Sequence, residues 1–237
     1  MLVAAAVCPC PPLLVPEVAA GAAHEMDAAR AACYDALAVL AAARPDRLVV
    51  LGPAEQFARG SYPQGAPGSF RGFGVDLDVR LGKGAAEGRE LPPSLAVGAW
   101  LLERTEWSAA PVEGLGVGEP LAPERCAAAG QDLVGSGAGD RLALLVLGDG
   151  SNCRTVKAPG YFDERAAAFD ADAARALGDA DPASVLALDA ELAYELGASG
   201  RSSWQVLAGA AQGADLSGRL LHDEAPYGVG YFVASWS

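Results

Sequence analysis

The first seventeen residues, MLVAAAVCPCPPLLVPE, restrict the fold more than any other stretch of the chain. Leu2 to Val7 are apolar without alternation, the pattern of a strand covered on both faces. Pro9, Pro11, Pro12 and Pro16 follow. Each lacks a ladder donor and holds φ at roughly −65°. The strand is therefore predicted to end at Val7 or Cys8, with Cys8 and Cys10 at its carboxyl end. In open α/β sheets, ligands bind in the crevice beyond the strands' carboxyl ends. Residues two apart on extended chain point the same way, so Cys8 and Cys10 are predicted to face one pocket. Both thiols would serve equally as small apolar filling.

The rest of the chain alternates in the manner that such a strand requires. Residues 17–43 carry Met26, Ala29, Cys33, Ala36, Leu37 and Leu40 at helical spacing, and Arg44-Pro45-Asp46 ends the helix. Residues 47–51 (RLVVL) form a second buried strand, so the first strand, helix and second strand make a right-handed βαβ unit. Residues 57–74 read as a long loop and 75–81 as a half-exposed strand. A helix is expected at 92–104, a strand within 105–112 and a helix at 122–135. Residues 141–147 (RLALLVL) are a third buried strand running into Gly148-Asp149-Gly150-Ser151-Asn152-Cys153. Helices follow at 161–177, 190–196 (capped by Asp189) and 202–213. The segment 220–236 closes on the apolar strand GVGYFVASW. This is the pattern of one α/β domain over residues 1–237, with a mixed, mainly parallel central sheet and helices on both faces.

Charge and cysteine usage narrow the function. The formal net charge is −13, with 30 acidic and 17 basic residues, which disfavours nucleic acid and anionic membrane surfaces as partners. No apolar run reaches the roughly 18 residues of a membrane span, and the start lacks a basic leader region. A cytoplasmic protein acting on a small molecule is expected. The five cysteines, at 8, 10, 33, 126 and 153, are odd in number and contain no CxxC pair. That argues against a disulfide framework and leaves the thiols for catalysis, metal or packing. Neither GxGxxG nor GxxxxGK[ST] occurs, so a phosphate cradle is unsupported.

Three predicted strand ends thus aim Cys10, Glu55 and the run Asp149–Cys153 at one crevice. In this pattern the chain resembles the class III extradiol ring-cleaving dioxygenases of the LigB superfamily, together with the Memo proteins that share their fold. CPCPP after the first strand resembles the family's strand and His-x-Pro loop, and VVLGPAEQF its strand followed by Gly-Pro-Ser-His. LLVLGDGSNC resembles the strand that precedes its later His motif. APGYFDERAAAFD, DPASVLALDAEL and SSWQVLAGAA resemble its late helices, and YGVGYFVAS its closing strand. The start and end look like an actinobacterial LigB-like subgroup.

The resemblance implies Fe(II) held by two His and one carboxylate, with a further His as acid/base. It also implies a small aromatic substrate and possible homo-oligomers. This chain departs at each matching position. The first ligand falls on Cys10, the second on Glu55 or Ala54, the acid/base on Asn152, and the ligand Glu near Gly200. Only His24 and His222 are present. Three hypotheses stay open. A divergent metal enzyme would bind Fe(II) or Zn through Cys10, Glu55 and His222, with Asp149, Cys8, Cys153, Asp223 and Glu224 in reserve. A fold kept for binding or scaffolding would hold no metal. A thiol enzyme would use Cys10 or Cys153, with His222 or Arg154 lowering the thiol pKa. Asn152, Asp149 and Cys153 are the candidate catalytic residues, and Cys8 and Tyr231 the candidate substrate contacts. Little ordinary ring cleavage is expected, because Asn152 cannot shuttle a proton near neutral pH.

Overall fold

The apolar run at the start becomes the centre of a sheet in the computed structural model, which describes residues 1–85, 88–137 and 139–237. β1 (Leu2–Cys8) is flanked by β7 (Leu142–Leu147) on one side and β9 (Tyr231–Trp236) on the other. β2 (Arg47–Pro53) and β6 (Val112–Val117) extend the parallel part beyond β7. β3 (Gly60–Tyr62) and β8 (Gly218–Glu224) close the two edges, giving the order β3-β6-β2-β7-β1-β9-β8. The four inner strands β6, β2, β7 and β1 are parallel, and β3, β9 and β8 pair antiparallel. A two-stranded ribbon, β4 (Pro67–Ser69) with β5 (Asp78–Arg80), lies apart from this sheet. The expected α/β architecture is therefore the one observed.

Helices cover both faces, which is why β1 and β7 tolerate no polar side chain. On one face Ala4, Ala6 and Cys8 pack with Cys33, Leu37 and Leu40 of α2 (Asp27–Ala42) and with Leu95 and Leu102 of α3 (Pro93–Arg104). On the other, Val7, Leu144 and Val146 meet Phe169 and Leu177 of α5 (Ala166–Gly178) and Trp204 and Leu207 of α8 (Arg201–Ala210). Each buried Leu, Val or Phe among them contributes about 1.5–3 kcal/mol relative to exposure. The shorter α6 (Pro182–Leu186) and α7 (Ala190–Glu195) are capped by Asp181 and Asp189, whose carboxylates accept backbone N–H bonds. Among the described residues, no helix is long and apolar enough to cross a membrane.

Several element boundaries differ from the sequence expectations, each for a local reason. The helix expected over 17–43 is broken into α1 (Pro16–Ala19), a 3-10 segment (Ala20–Met26) and α2. Ala20 sits at φ 48°, and Arg30 reaches back to the Leu14 carbonyl at 3.2 Å and to Ala23, fixing the bend. The strand sought in 105–112 is β6, shifted to VEGLGV. Its glycines hid it, and they let β3 and the turn before it approach: a Cβ at Gly114 would lie 3.1 Å from the Tyr62 Cβ, and one at Gly116 2.5 Å from the Ala58 carbonyl. Only Asp78–Arg80 of the expected 75–81 strand is ladder, and the 57–74 loop holds β3 and β4. The C-terminal segment is two strands, β8 and β9.

Small residues also set the crossing of α4 (Pro123–Ser136) over α8. A Cβ at Gly130 would collide with the Val206 carbonyl and the Ala210 nitrogen, and one at Gly209 with Ala127. Gly135, in the same helix, has open space around it. Gly130→Ala is expected to lower stability by about 1–3 kcal/mol, because two backbones must separate. Gly135→Ala is expected to raise it by about 0.5–1 kcal/mol through helix propensity. Urea unfolding of the two variants checks the contrast; similar effects from both would refute the close crossing.

Candidate functional site

The four parallel strands end level with one another. Cys8 is opposite Leu147, Leu51 opposite Val146, and Pro53 opposite Val117. The residue two positions beyond each strand is Cys10 after β1, Glu55 after β2, Glu119 after β6 and Asp149 after β7. All four line one cavity of about 740 Å³. Ser94, Ser199 and Arg59 add polar groups, and Phe57, Phe73, Leu91, Pro92 and Pro93 make an apolar wall.

Backbone contacts hold this floor in place. Asp149 Oδ1 accepts the Cys10 N–H at 2.8 Å, joining the loops after β1 and β7. The Gly200 N–H donates to the Asp149 carbonyl at 2.9 Å, which ties the loop to the start of α8. Gly148 and Gly200 touch so closely that a Cβ at Gly148 would overlap the Gly200 Cα. Glu119 is gripped from α8: its Oε1 accepts from the Ser202 hydroxyl at 3.0 Å, and Arg201 donates to its backbone carbonyl. The wall is secured from outside the sheet. Arg89 donates to the Phe57 carbonyl at 3.1 Å and the Arg59 carbonyl at 2.6 Å, and its guanidinium lies 4.2 Å from the centroid of the Tyr62 ring.

Burial controls the protonation of these groups. It raises Asp149 from 3.8 to about 7, against a smaller opposing effect of the Cys10 N–H. It raises Glu119 from 4.5 to about 7, offset in part by Ser202 and Arg201. The Cys10 thiol is pushed well up, first by burial and then by Asp149, Glu119 and Cys8. A thiol held protonated is a poor nucleophile and a poor ligand. Two carboxyl groups that titrate near neutrality can instead donate, accept or exchange protons.

The structure brings together Cys10, Glu55 and Asp149 of the residues singled out in the sequence, and separates the others. Asn152 does not line the cavity. Its side chain is wedged between Gly160 and Gly197, where a Cβ on either glycine would overlap it. Cys153 turns the same way, with Sγ 3.1 Å from Asn152 Oδ1 and 3.4 Å from the Leu196 carbonyl, and burial raises its pKa. Arg154, considered as its activating cation, donates instead to the buried Asp170 at 3.0 Å. Cys8 does share a face with Cys10, but it is core beneath the floor, beside Cys33 of α2. Tyr231 is buried at the start of β9, with Asp149 and Cys10 near enough to add to the burial that raises its hydroxyl pKa. His222 lies on the edge strand β8, paired with Val233, and does not join Cys10 and Glu55 at the cavity. His24 is exposed in the 3-10 segment.

Glu119 is the main residue that the sequence reading missed. Its signal was present: it stands beyond an apolar-glycine strand at the spacing of Cys10, Glu55 and Asp149. The donor set does not fit an iron centre of two histidines and one carboxylate, since no imidazole lines the cavity among the described residues. Nor do the described residues contain a group of three or more His, Cys, Asp and Glu side chains arranged to hold an ion.

Two outcomes follow from this geometry. Asp149 titrates near 7 in the fold and near 3.8 unfolded, so it is neutral in both states below about pH 4. As pH rises toward 7 the unfolded chain loses this proton first, and stability falls across that window. Asp149→Asn keeps an acceptor for the Cys10 N–H and removes the titration. It is expected to change stability little at pH 4 and to raise it by a few kcal/mol (order of magnitude) at pH 8. Urea unfolding at both pH values measures this, and an equal effect at both would refute the raised pKa. Arg89→Ala is expected to speed amide exchange at residues 57–60 by about tenfold or more, leaving β1 and β7 protected. Unchanged exchange there would show that Arg89 does not secure the wall.

No protein-family model matches the chain, and no curated protein matches it. Among solved structures the chain is similar to JW3007, an uncharacterized protein of Escherichia coli K12, with a TM-score of 0.53, 15% identity and 99% of each chain covered. At that identity the likeness supports the α/β fold, which spans both chains from end to end.

Proposed function

We propose that this protein binds a small molecule in the cavity beyond β1, β2, β6 and β7, and that any chemistry there is proton transfer by Asp149 and Glu119. The observation that supports this most directly is the convergence of those two carboxyl groups, each shifted to about 7, in one cavity. The volume falls within the roughly 300–1,000 Å³ of ordinary ligand sites. Descent from an extradiol-dioxygenase-like ancestor is part of the proposal and rests on the sequence motifs. Conventional ring cleavage is not, because the position matching the family's acid/base is Asn152, which faces Gly160 and Gly197. A cytoplasmic setting is likewise proposed, supported by five free, buried thiols.

The same convergence of Cys10, Glu55, Glu119 and Asp149 would favour a divergent metal-dependent oxidoreductase only if the Cys10 thiol and the Glu119 and Asp149 carboxyl groups ionised together. Purified protein incubated anaerobically with Fe(II) or Zn²⁺ and then desalted is expected to retain far less than one equivalent, and to show negligible turnover of a catechol panel. Stoichiometric retention that is lost on Cys10→Ser would restore the metal reading. The thiol-enzyme reading predicts fast alkylation of Cys10 or Cys153; the raised pKa values predict alkylation only on unfolding. Binding itself is read from amide shifts of labelled protein during titration with small aromatic and polar compounds. Shifts are expected at Cys10, Glu55, Glu119 and Asp149, and a response confined to other surfaces would overturn the site.

A further inference from the structure

Resting on the reading of this cavity as a ligand site, we propose that it selects a small organic cation: an ammonium head carried on an apolar body about the size of an aromatic ring. Charge is the first ground. The described lining holds the carboxyl groups of Glu55, Glu90, Glu119 and Asp149 against one guanidinium, Arg59. Arg59 is also partly occupied, its Nε lying 3.5 Å from the Ala54 carbonyl. A carboxylate or phosphate ligand would find Arg59 alone to pair with, against repulsion from the carboxyl groups around it, whereas an ammonium would meet attraction from several sides. The net charge of −13 adds a long-range field of the same sign.

Hydrogen-bond capacity is the second ground. Asp149 Oδ1 is taken by the Cys10 N–H, while Oδ2 has no partner among the described residues. The Ser94 hydroxyl is spent on the Pro53 carbonyl at 2.6 Å. Arg59 aside, the floor offers more free acceptors than free donors once its carboxyl groups ionise. An ammonium group, with three donors and no acceptor, is its complement. The third ground is shape. Phe57 is 81% exposed and Phe73 41% exposed, yet both line the cavity. With Pro92 and Pro93 they make an apolar rim above the acidic floor. A ring seated there would cover surface that is otherwise left to water, and the Phe faces are themselves attractive to a cation.

Proton linkage follows. Asp149 is faced by the Cys10 thiol and N–H and by Tyr231 of β9, and Glu119 by Arg201, Ser202 and Cys126 of α4, with Glu55, Glu90 and Arg59 on the loops around them. Below neutrality both buried carboxyls carry protons, and an arriving cation favours their ionised form. Cation binding therefore releases protons and tightens as pH rises through 7.

A matched series tests this: phenethylamine, phenethyl alcohol and phenylacetate, each titrated by calorimetry and by amide shifts of labelled protein. The amine is expected to bind at least about tenfold tighter than the alcohol, with phenylacetate weakest. Its affinity is expected to rise between about pH 6 and about pH 8, with proton release seen in buffers of different ionisation enthalpy. Asp149→Asn is expected to weaken the amine by about tenfold more than it weakens the alcohol, a difference that misfolding would not produce. Alcohol or phenylacetate shifting the cavity amides as tightly as the amine would overturn cation selection and leave the ligand site standing. No response of the cavity amides to any of the three would overturn both.

Discussion

The level ending of four parallel strands is the constraint on which the rest of this molecule depends. Register alone places the main chain of the loops after β1, β2, β6 and β7 at one height, because Cys8 faces Leu147, Leu51 faces Val146 and Pro53 faces Val117. In a fan of strands that end together, residues at equal distance beyond the ladder become neighbours whatever their separation in sequence. Cys10 and Asp149 are 139 positions apart and share a hydrogen bond for this reason. The apolar composition of the strands therefore does more than fill the core. It forbids slippage, since a one-residue shift would turn buried faces over and scatter the floor.

The floor carries a tension between burial and charge. Removing a carboxyl group from water favours its neutral form, and only a fixed donor or cation nearby offsets that. Here the offsets are modest: one backbone N–H for Asp149, a hydroxyl and a guanidinium for Glu119. Contrast Asp170, whose carboxylate accepts from Ser151 N–H, Ser151 Oγ and Arg154. That residue is fully enclosed and bound on several sides, the signature of a structural tie between α5 and the loop after β7. Asp149 and Glu119 are left with spare capacity facing a cavity, which supports the ligand site proposed there.

The sequence made the sheet legible because both-face burial leaves an unambiguous mark: unbroken apolar runs at 2–8, 48–51 and 142–147, each stopped by Gly or Pro. It concealed β6, where Gly114 and Gly116 replace side chains that β3 and its loop could not accommodate. With β6 went Glu119. Conversely, the run Asp149–Cys153 read as one cluster, yet the loop turns after Asp149 and carries Asn152 and Cys153 against Gly160 and Leu196. A linear string of polar residues says nothing about where a chain reverses. His222 was attractive as one of two imidazoles in the chain, but scarcity has no geometry, and its strand runs along the far edge of the sheet.

The tether formed by Arg89 has a consequence for how such a protein diversifies. Floor and wall have separate origins: the floor is made by strand ends that cannot move without loss of the core, whereas residues 57–59 are pinned by a side chain from the segment that follows the β4–β5 ribbon. Changes in that ribbon and its flanking loop reach the cavity directly through Phe73, Glu90 and Leu91 and indirectly through the Arg89 contacts, and they leave the sheet register alone. Cavity wall and acidic floor are in this sense positioned independently. A lineage built on this plan can widen or narrow its entrance by loop substitution while its acids stay at the height that the strands dictate.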